Sequence, residues 1–288
     1  MMQSKEWLIF RILTDKFHKG TGEALLKNIP QEVREEVLKQ PLESSDISLF
    51  LDQPETLIEK VHYSWLLDAF KTIPEAIQPS ILAALSDDQA KGIAKAFSLP
   101  FKKIHLKPIF KRFLINALYT RFEKKDILPI EFLPENPITC LTTFSKQRLV
   151  SIINYLGIYD LSEEVRHIVE KKLLTSIYAA IPLKKQQFLK QCLSQKEKIV
   201  TPRLNLSSWN KTERGLEKIL HKRGMIRLSH ALSGKHPDFL WHVIHRLDSG
   251  RGQVIAAHYK PQESSAVSNA LTAQVINVIN FLNKKSKL

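Results

Sequence analysis

Six of the ten histidines crowd into one stretch of this chain, at His221, His230, His236, His242, His245 and His258. His242 and His245 stand three residues apart and share a helix face, as two imidazole ligands of a zinc site would. A third ligand at compatible spacing is missing, because no cysteine stands beside them and Asp238 and Asp248 fall at helix ends. No metal and no cofactor is therefore expected. Paired carboxylates can divide general acid and general base work. Here, however, Asp87-Asp88 and Glu163-Glu164 each follow a serine, and both read as the acidic first turn of a helix. No GxxxxGKS or GxxxxGKT loop, GxGxxG, HExxH or GxSxG occurs, so no catalytic residue is expected.

A second chemistry is suggested by residues 101–126, FKKIHLKPIFKRFLINALYTRFEKKD. Cations interleaved with aromatic rings can neutralise phosphates and stack on bases. In this stretch Ile109, Phe110, Phe113, Leu114, Ala117, Leu118 and Phe122 share one broad helical stripe, with Lys111, Arg112, Arg121, Lys124 and Lys125 largely outside it. That distribution favours an amphipathic helix whose aromatics are core and whose cations are solvated.

The elements that would position such residues read as helix after helix. Trp209 to Gly252 reads as three short helices closed by glycine, the first capped at Asn210 with Glu213 behind it and ended by Gly224. The second stops at Ser233-Gly234, and the third opens at Pro237 and runs to Ser249-Gly250. Upstream, Ser145 caps a helix ending near Gly157, and Ser162 starts another. Ser86 caps a helix through Phe97. Ile29-Pro30, Ile73-Pro74 and Ile181-Pro182 each precede a helical pattern with an apolar residue eight places after the isoleucine, at Val37, Ile81 and Leu189. Proline before an apolar stripe suits stacked helical units. The last pattern, Ser264 to Asn283, carries an apolar stripe through Leu271, Val275, Val278 and Ile279, and is expected to dock on its own domain. Alternating runs are short and no Asn-Gly or Asp-Gly turn occurs, so the fold class is all-α, an array of short stacked helices in two helical subdomains.

Charge divides the chain. Residues 1–100 hold 11 Lys and Arg against 15 Asp and Glu, whereas residues 101–288 hold 32 against 14. The expected organisation is a weakly acidic helical domain over 1–126, a proline-rich linker over 127–137, and a basic helical domain over 138–288. The basic part calls for an acidic partner. Two cysteines, Cys140 and Cys192, cannot build a disulfide framework and fit a reducing compartment. The first apolar stretch is interrupted by Glu6, Arg11 and Asp15, unlike a signal peptide. The uncharged run from 264 to 283 holds four asparagines, unlike a membrane span.

The segment GKHPDFLWHVIHRL resembles the helix start that carries the Glu-His-Pro-Gln signature of flagellar rotor-switch proteins of the FliG type. His236 and Pro237 match, while Lys235 stands where that family has glutamate and Asp238 where it has glutamine. With RGMIRLSHAL before it, the segment is also similar to the SctK-type cytosolic adaptors of the type III secretion sorting platform. The resemblance covers chiefly residues 140–260. It implies a bacterial, non-catalytic adaptor that links a membrane-ring component of the SctD type to the SctQ-type platform protein. Its location would be cytoplasmic, peripheral at the inner membrane through protein partners. The residues expected to meet a partner are His236, Pro237, Asp238 and Trp241, with Arg251 just beyond, tryptophan and arginine being the types that dominate interface energy. The alternative expectation is nucleic-acid binding through the basic C-terminal region, which would weaken steeply with salt.

Overall fold

The computed structural model describes residues 7, 10–14, 18, 21–39, 54–123, 125, 127–194, 203–204, 206, 209–262 and 265–284. Glu6, Asp15, Lys124, Asp126 and Ser264, all read above, lie outside the described residues. Every regular element among the described residues is helical: α1 Gly22–Leu26, α2 Gln31–Lys39, α3 Pro54–Lys60, α4 Tyr63–Lys71, α5 Gln78–Ala84, α6 Asp87–Phe97, α7 Pro108–Phe122, α8 Lys146–His167, α9 Lys171–Ala180, α10 Leu183–Leu193, α11 Glu213–Leu232, α12 Pro237–Ile244, α13 Ser249–His258 and α14 Ser265–Lys284. The fold class is all-α. The chain divides into two compact units between Pro134 and Glu135. Around that boundary lie short 3-10 turns at Ile130–Phe132 and Thr139–Thr143.

In the first unit, α3, α4 and α5 pack on α7, and α4 packs on α6. The core gathers Leu57, Ile58, Leu66, Phe70, Ile81, Ile93, Leu114 and Leu118. Helix α6 opens with a capping box between Ser86 and Gln89, and Gln89 does more than cap. Its buried amide donates to the carbonyls of Ile58 and Val61, both at 2.7 Å, tying α6 to the end of α3. The Ile58 carbonyl also accepts from the Val61 N–H, and Val61 lies just past α3, so one glutamine joins the end of α3 to the start of α6.

The broad stripe expected on α7 is corrected here. Leu114, Ile115 and Leu118 are buried, but Ile109, Phe110 and Phe113 are exposed. A helix resting on three others can turn only about a third of its circumference inward. The Leu114–Leu118 face wins that position, which leaves Ile109 and Phe113 pointing away.

The second unit is organised by two long helices, α8 and α11, which pack against each other along much of their length. Their length is the largest departure from expectation. Gly157 and Ser162 lie inside α8, and Gly224 lies inside α11, so the breaks expected there are absent. The helix expected to run from Ser162 through Ile168, Leu173 and Ile177 is instead divided between α8, which stops at His167, and α9. The glycines serve the crossing. A Cβ on Gly157 would stand 2.1 Å from the Leu220 carbonyl oxygen, and one on Gly224 would stand 1.8 Å from that of Ile153. Mid-helix glycine costs about 1 kcal/mol relative to alanine. Close backbone packing offsets that cost and keeps the helix running through a residue that elsewhere ends it. The cap of α11 also moves: Thr212, not Asn210, accepts from the Gly215 N–H at 3.1 Å, and Asn210 accepts instead from the Thr212 hydroxyl at 2.6 Å. Likewise Ser249-Gly250 opens α13, with Asp248 as its cap, where the sequence reading closed a helix.

Helix α14 docks on α11 and α8, burying Leu271, Val275, Val278 and Ile279. Phe281, Tyr155, Tyr159 and Phe188 form an aromatic cluster where α14, α8 and α10 meet, with Phe188 edge-on to both tyrosines. Val37, Ile81 and Leu189, the apolar positions that follow the Ile-Pro pairs, are all fully buried.

Candidate partner-binding surface

The charge in the crossing of α8 and α11 is internal. Asp160 on α8 is buried and held by two arginines of α11. Arg227 donates twice to its Oδ1, at 3.0 and 2.6 Å, and Arg223 donates to its Oδ2 at 2.6 Å. The remaining side of Arg227 donates to Gln274 of α14 at 2.6 Å, and its guanidinium lies over the Tyr159 ring. Such a network fixes the register of three helices, and it buries Arg227 and leaves Arg223 only partly exposed.

A second polar cluster joins α8, α11 and α13. Asn154 Oδ1 lies 2.6 Å from His221 Nδ1, and Arg251 donates to His221 Nε2 at 2.8 Å. Since Arg251 has no acceptor, Nε2 carries the lone pair and the proton sits on Nδ1. Burial, then the charge of Arg251, holds the His221 pKa below its ordinary value. Arg251 also pairs with Asp248, to which Lys146 adds a longer contact at 3.5 Å. Burial raises the Asp248 carboxyl, but hydrogen bonds and charge from Arg251 and the charge of Lys146 outweigh it and leave it low.

Helix α12 stands on this scaffold. His236 is its N-cap: Nδ1 accepts from the Asp238 N–H at 3.2 Å, leaving Nε2 as the protonated nitrogen. Pro237 occupies the first turn, where its missing N–H costs nothing. His236 and Pro237 are exposed, and Asp238 and Trp241 are partly so. Trp241 stacks on His245 with ring centroids 4.2 Å apart, while His245 Nδ1 lies 2.9 Å from the Trp241 carbonyl oxygen. Behind them Phe239, Val243 and Ile244 are buried.

Lys235, immediately before this start, turns inward. Its half-buried ammonium donates to Ser268 at 3.2 Å and Thr272 at 3.0 Å, and burial holds its pKa below the usual lysine value. Its carbonyl accepts from the Tyr259 hydroxyl at 2.6 Å. Helix α12 is therefore fastened to α14 and to the end of α13 just behind its outward face. The sequence carried no signal for this, because a lysine reads as surface until a partner helix is placed beside it.

The structure thus brings His236, Pro237, Asp238 and Trp241 together on the first turns of one helix. Arg251 sits on the neighbouring α13, with its guanidinium engaged by Asp248 and His221. Among the described residues no three His, Cys, Asp or Glu side chains converge as a metal site would require. Nor is any described helix long and apolar enough to cross a membrane. No family model matches the chain, and neither a curated protein nor a solved structure matches it.

Proposed function

We propose that this protein is a non-catalytic cytosolic adaptor that joins a membrane-ring component to the cytoplasmic platform of a type III secretion or flagellar-rotor-like assembly. The observation that carries the reading is the mounting of α12. Its outward turn presents His236, Pro237, Asp238 and the edge of Trp241, while Lys235, Tyr259, Ser268 and Thr272 hold it from behind. A preorganised aromatic with a polar rim costs little entropy to bind and matches the composition of interface hot spots. The partners on this reading are an SctD-type ring protein and an SctQ-type platform protein, which fits a cytoplasmic protein held at the inner membrane through others.

A second reading, nucleic-acid binding by the basic C-terminal part, is favoured by the charge of the second unit. Residues 135–288 hold 24 Lys and Arg against 11 Asp and Glu. One experiment separates the two. Tagged protein is recovered from its native cells at low and high salt, with and without nuclease. Ring and platform proteins that persist through nuclease, and are lost with Trp241→Ala, support the adaptor. Nucleic acid that disappears at high salt supports the alternative.

A further inference from the structure

The first unit carries a surface of different character, formed by the outward face of α7 and the chain leading into it. Ile109 is 80% exposed, Phe113 65%, Ile104 51% and Phe110 45%. Ile109 and Phe113 are four residues apart and lie side by side on the helix, opposite the buried Leu114 and Leu118. Residues 101–122 hold six Lys and Arg and no Asp or Glu. Three of these cations are paired with carboxylates of the same unit: Lys103 with Asp87, Lys111 with Glu59 at 3.4 Å, and Arg112 with Glu55 at 3.6 Å. Lys102 and Lys107 are exposed and have no acidic partner among the described residues.

We propose that this face rests on an anionic lipid bilayer, with Ile109 and Phe113 entering the headgroup–acyl boundary and Lys102 and Lys107 meeting lipid phosphates. Apolar side chains that project beside unpaired lysines are the two components of interfacial membrane binding. Three alternatives fit less well. A groove-binding peptide needs walls around the apolar contact, whereas Ile109 stands almost clear of its neighbours. Base stacking would use the two phenylalanines but has no role for two isoleucines, which present no π face. A solvated helix face would place polar residues at the pole of α7. Instead, Asn116 and Thr120 take that position only in its later turns. The surface lies on a different unit from α12, and it stands or falls independently of the adaptor reading.

The test is vesicle flotation with the full chain, comparing neutral phosphatidylcholine vesicles with vesicles that also contain phosphatidylglycerol. Wild type is expected to float with the anionic vesicles and far less with the neutral ones. The charge of the second unit alone would attract an anionic surface, so the deciding variant changes no charge. Ile109→Ser with Phe113→Ser is expected to lower the partition coefficient at least about tenfold while leaving the melting transition in place, since both side chains are exposed. A complementary readout uses Phe113→Trp, whose added emission is expected to be quenched by lipids brominated in the acyl chain. Three results overturn the proposal: unchanged flotation of the double variant, wild type that stays off anionic vesicles, or an unquenched tryptophan at 113. Specific binding of single-stranded oligonucleotide that is lost with the double variant, without vesicle binding, would assign the face to nucleic acid instead.

Discussion

Gly224 faces Gly157 across the crossing of α11 and α8, so closely that a Cβ on Gly224 would lie 3.1 Å from the Gly157 nitrogen and nearer still to the Ile153 carbonyl. Two long helices of the second unit meet there, backbone against backbone. One helical turn onward from Gly157, Asp160 receives Arg223 and Arg227. Close approach and buried charge are therefore parts of one contact, the first setting the distance at which the second can form.

Gly224→Ala is expected to destabilise the protein by about 3 kcal/mol, since the methyl group would meet backbone that cannot swing aside as a side chain could. Gly250→Ala supplies the contrast. It lies in the first turn of α13, and its Cβ would find only Asp248 Oδ1 at 3.6 Å. That substitution is expected to be neutral or to stabilise by about 0.5–1 kcal/mol, through helix propensity. Urea denaturation of both variants checks the pair. Equal effects would mean that the crossing is not tight at Gly224.

Asp160→Ala leaves two guanidinium groups facing each other in a buried site. A loss of about 3–5 kcal/mol is expected, as for other uncompensated buried charges. The further change of Arg227→Met in the Asp160→Ala background should recover part of that loss, because it removes the orphaned charge and retains most of the packing. A double-mutant cycle on the denaturation midpoints measures the coupling.

Stability should depend on pH through His221. Its folded pKa lies below the ordinary imidazole value of 6.5, so the unfolded chain binds that proton more readily than the folded protein does. Stability from this group is thus complete above pH 6.5 and declines as pH falls below it. Asp248, whose pKa is lowered from 3.8, adds a separate loss only in stronger acid. His221→Gln should flatten the first decline and leave the second. Melting curves across mildly acidic pH give the answer, and an unaltered slope in the variant would transfer the effect to another group.

Trp241→Ala should separate binding from folding. The ring is partly exposed and touches the His242 and His245 rings, so its removal is expected to lower stability by only about 1 kcal/mol. Loss of a central interface tryptophan typically costs about 2 kcal/mol or more of affinity. Recovery of partner proteins should therefore fall much further than the melting temperature does. A variant that keeps its partners would move the contact away from α12.

Local signals located much of this protein, because the physics they report is local. Ser86, followed by Asp87 and Asp88, marked the start of α6, since an N-cap serine and first-turn carboxylates act on N–H groups within one turn. Pro237 after His236 marked α12 for the same kind of reason, and the period of Leu271, Val275 and Val278 marked the buried face of α14. His236, Pro237, Asp238 and Trp241 could be placed on one helix from their spacing alone. What the glycines do was a different matter. Gly157 and Gly224 carry the residue type of a helix end, yet each is kept in a helix by the other helix, and the partner backbone is some sixty residues away in the chain. The same holds for Lys235 and Arg227, which composition assigns to the surface and packing draws inside. It holds too for Ile109 and Phe113, which periodicity assigns to the core. An amphipathic pattern states that one face will be covered, but only the neighbouring helices determine where that face begins. Residue order alone thus determined the helical class, several caps and the start of α12 at Pro237. Tertiary packing decided which glycines bring helices together, which cations are buried and which apolar side chains remain outside, because each depends on a surface that the local chain does not contain.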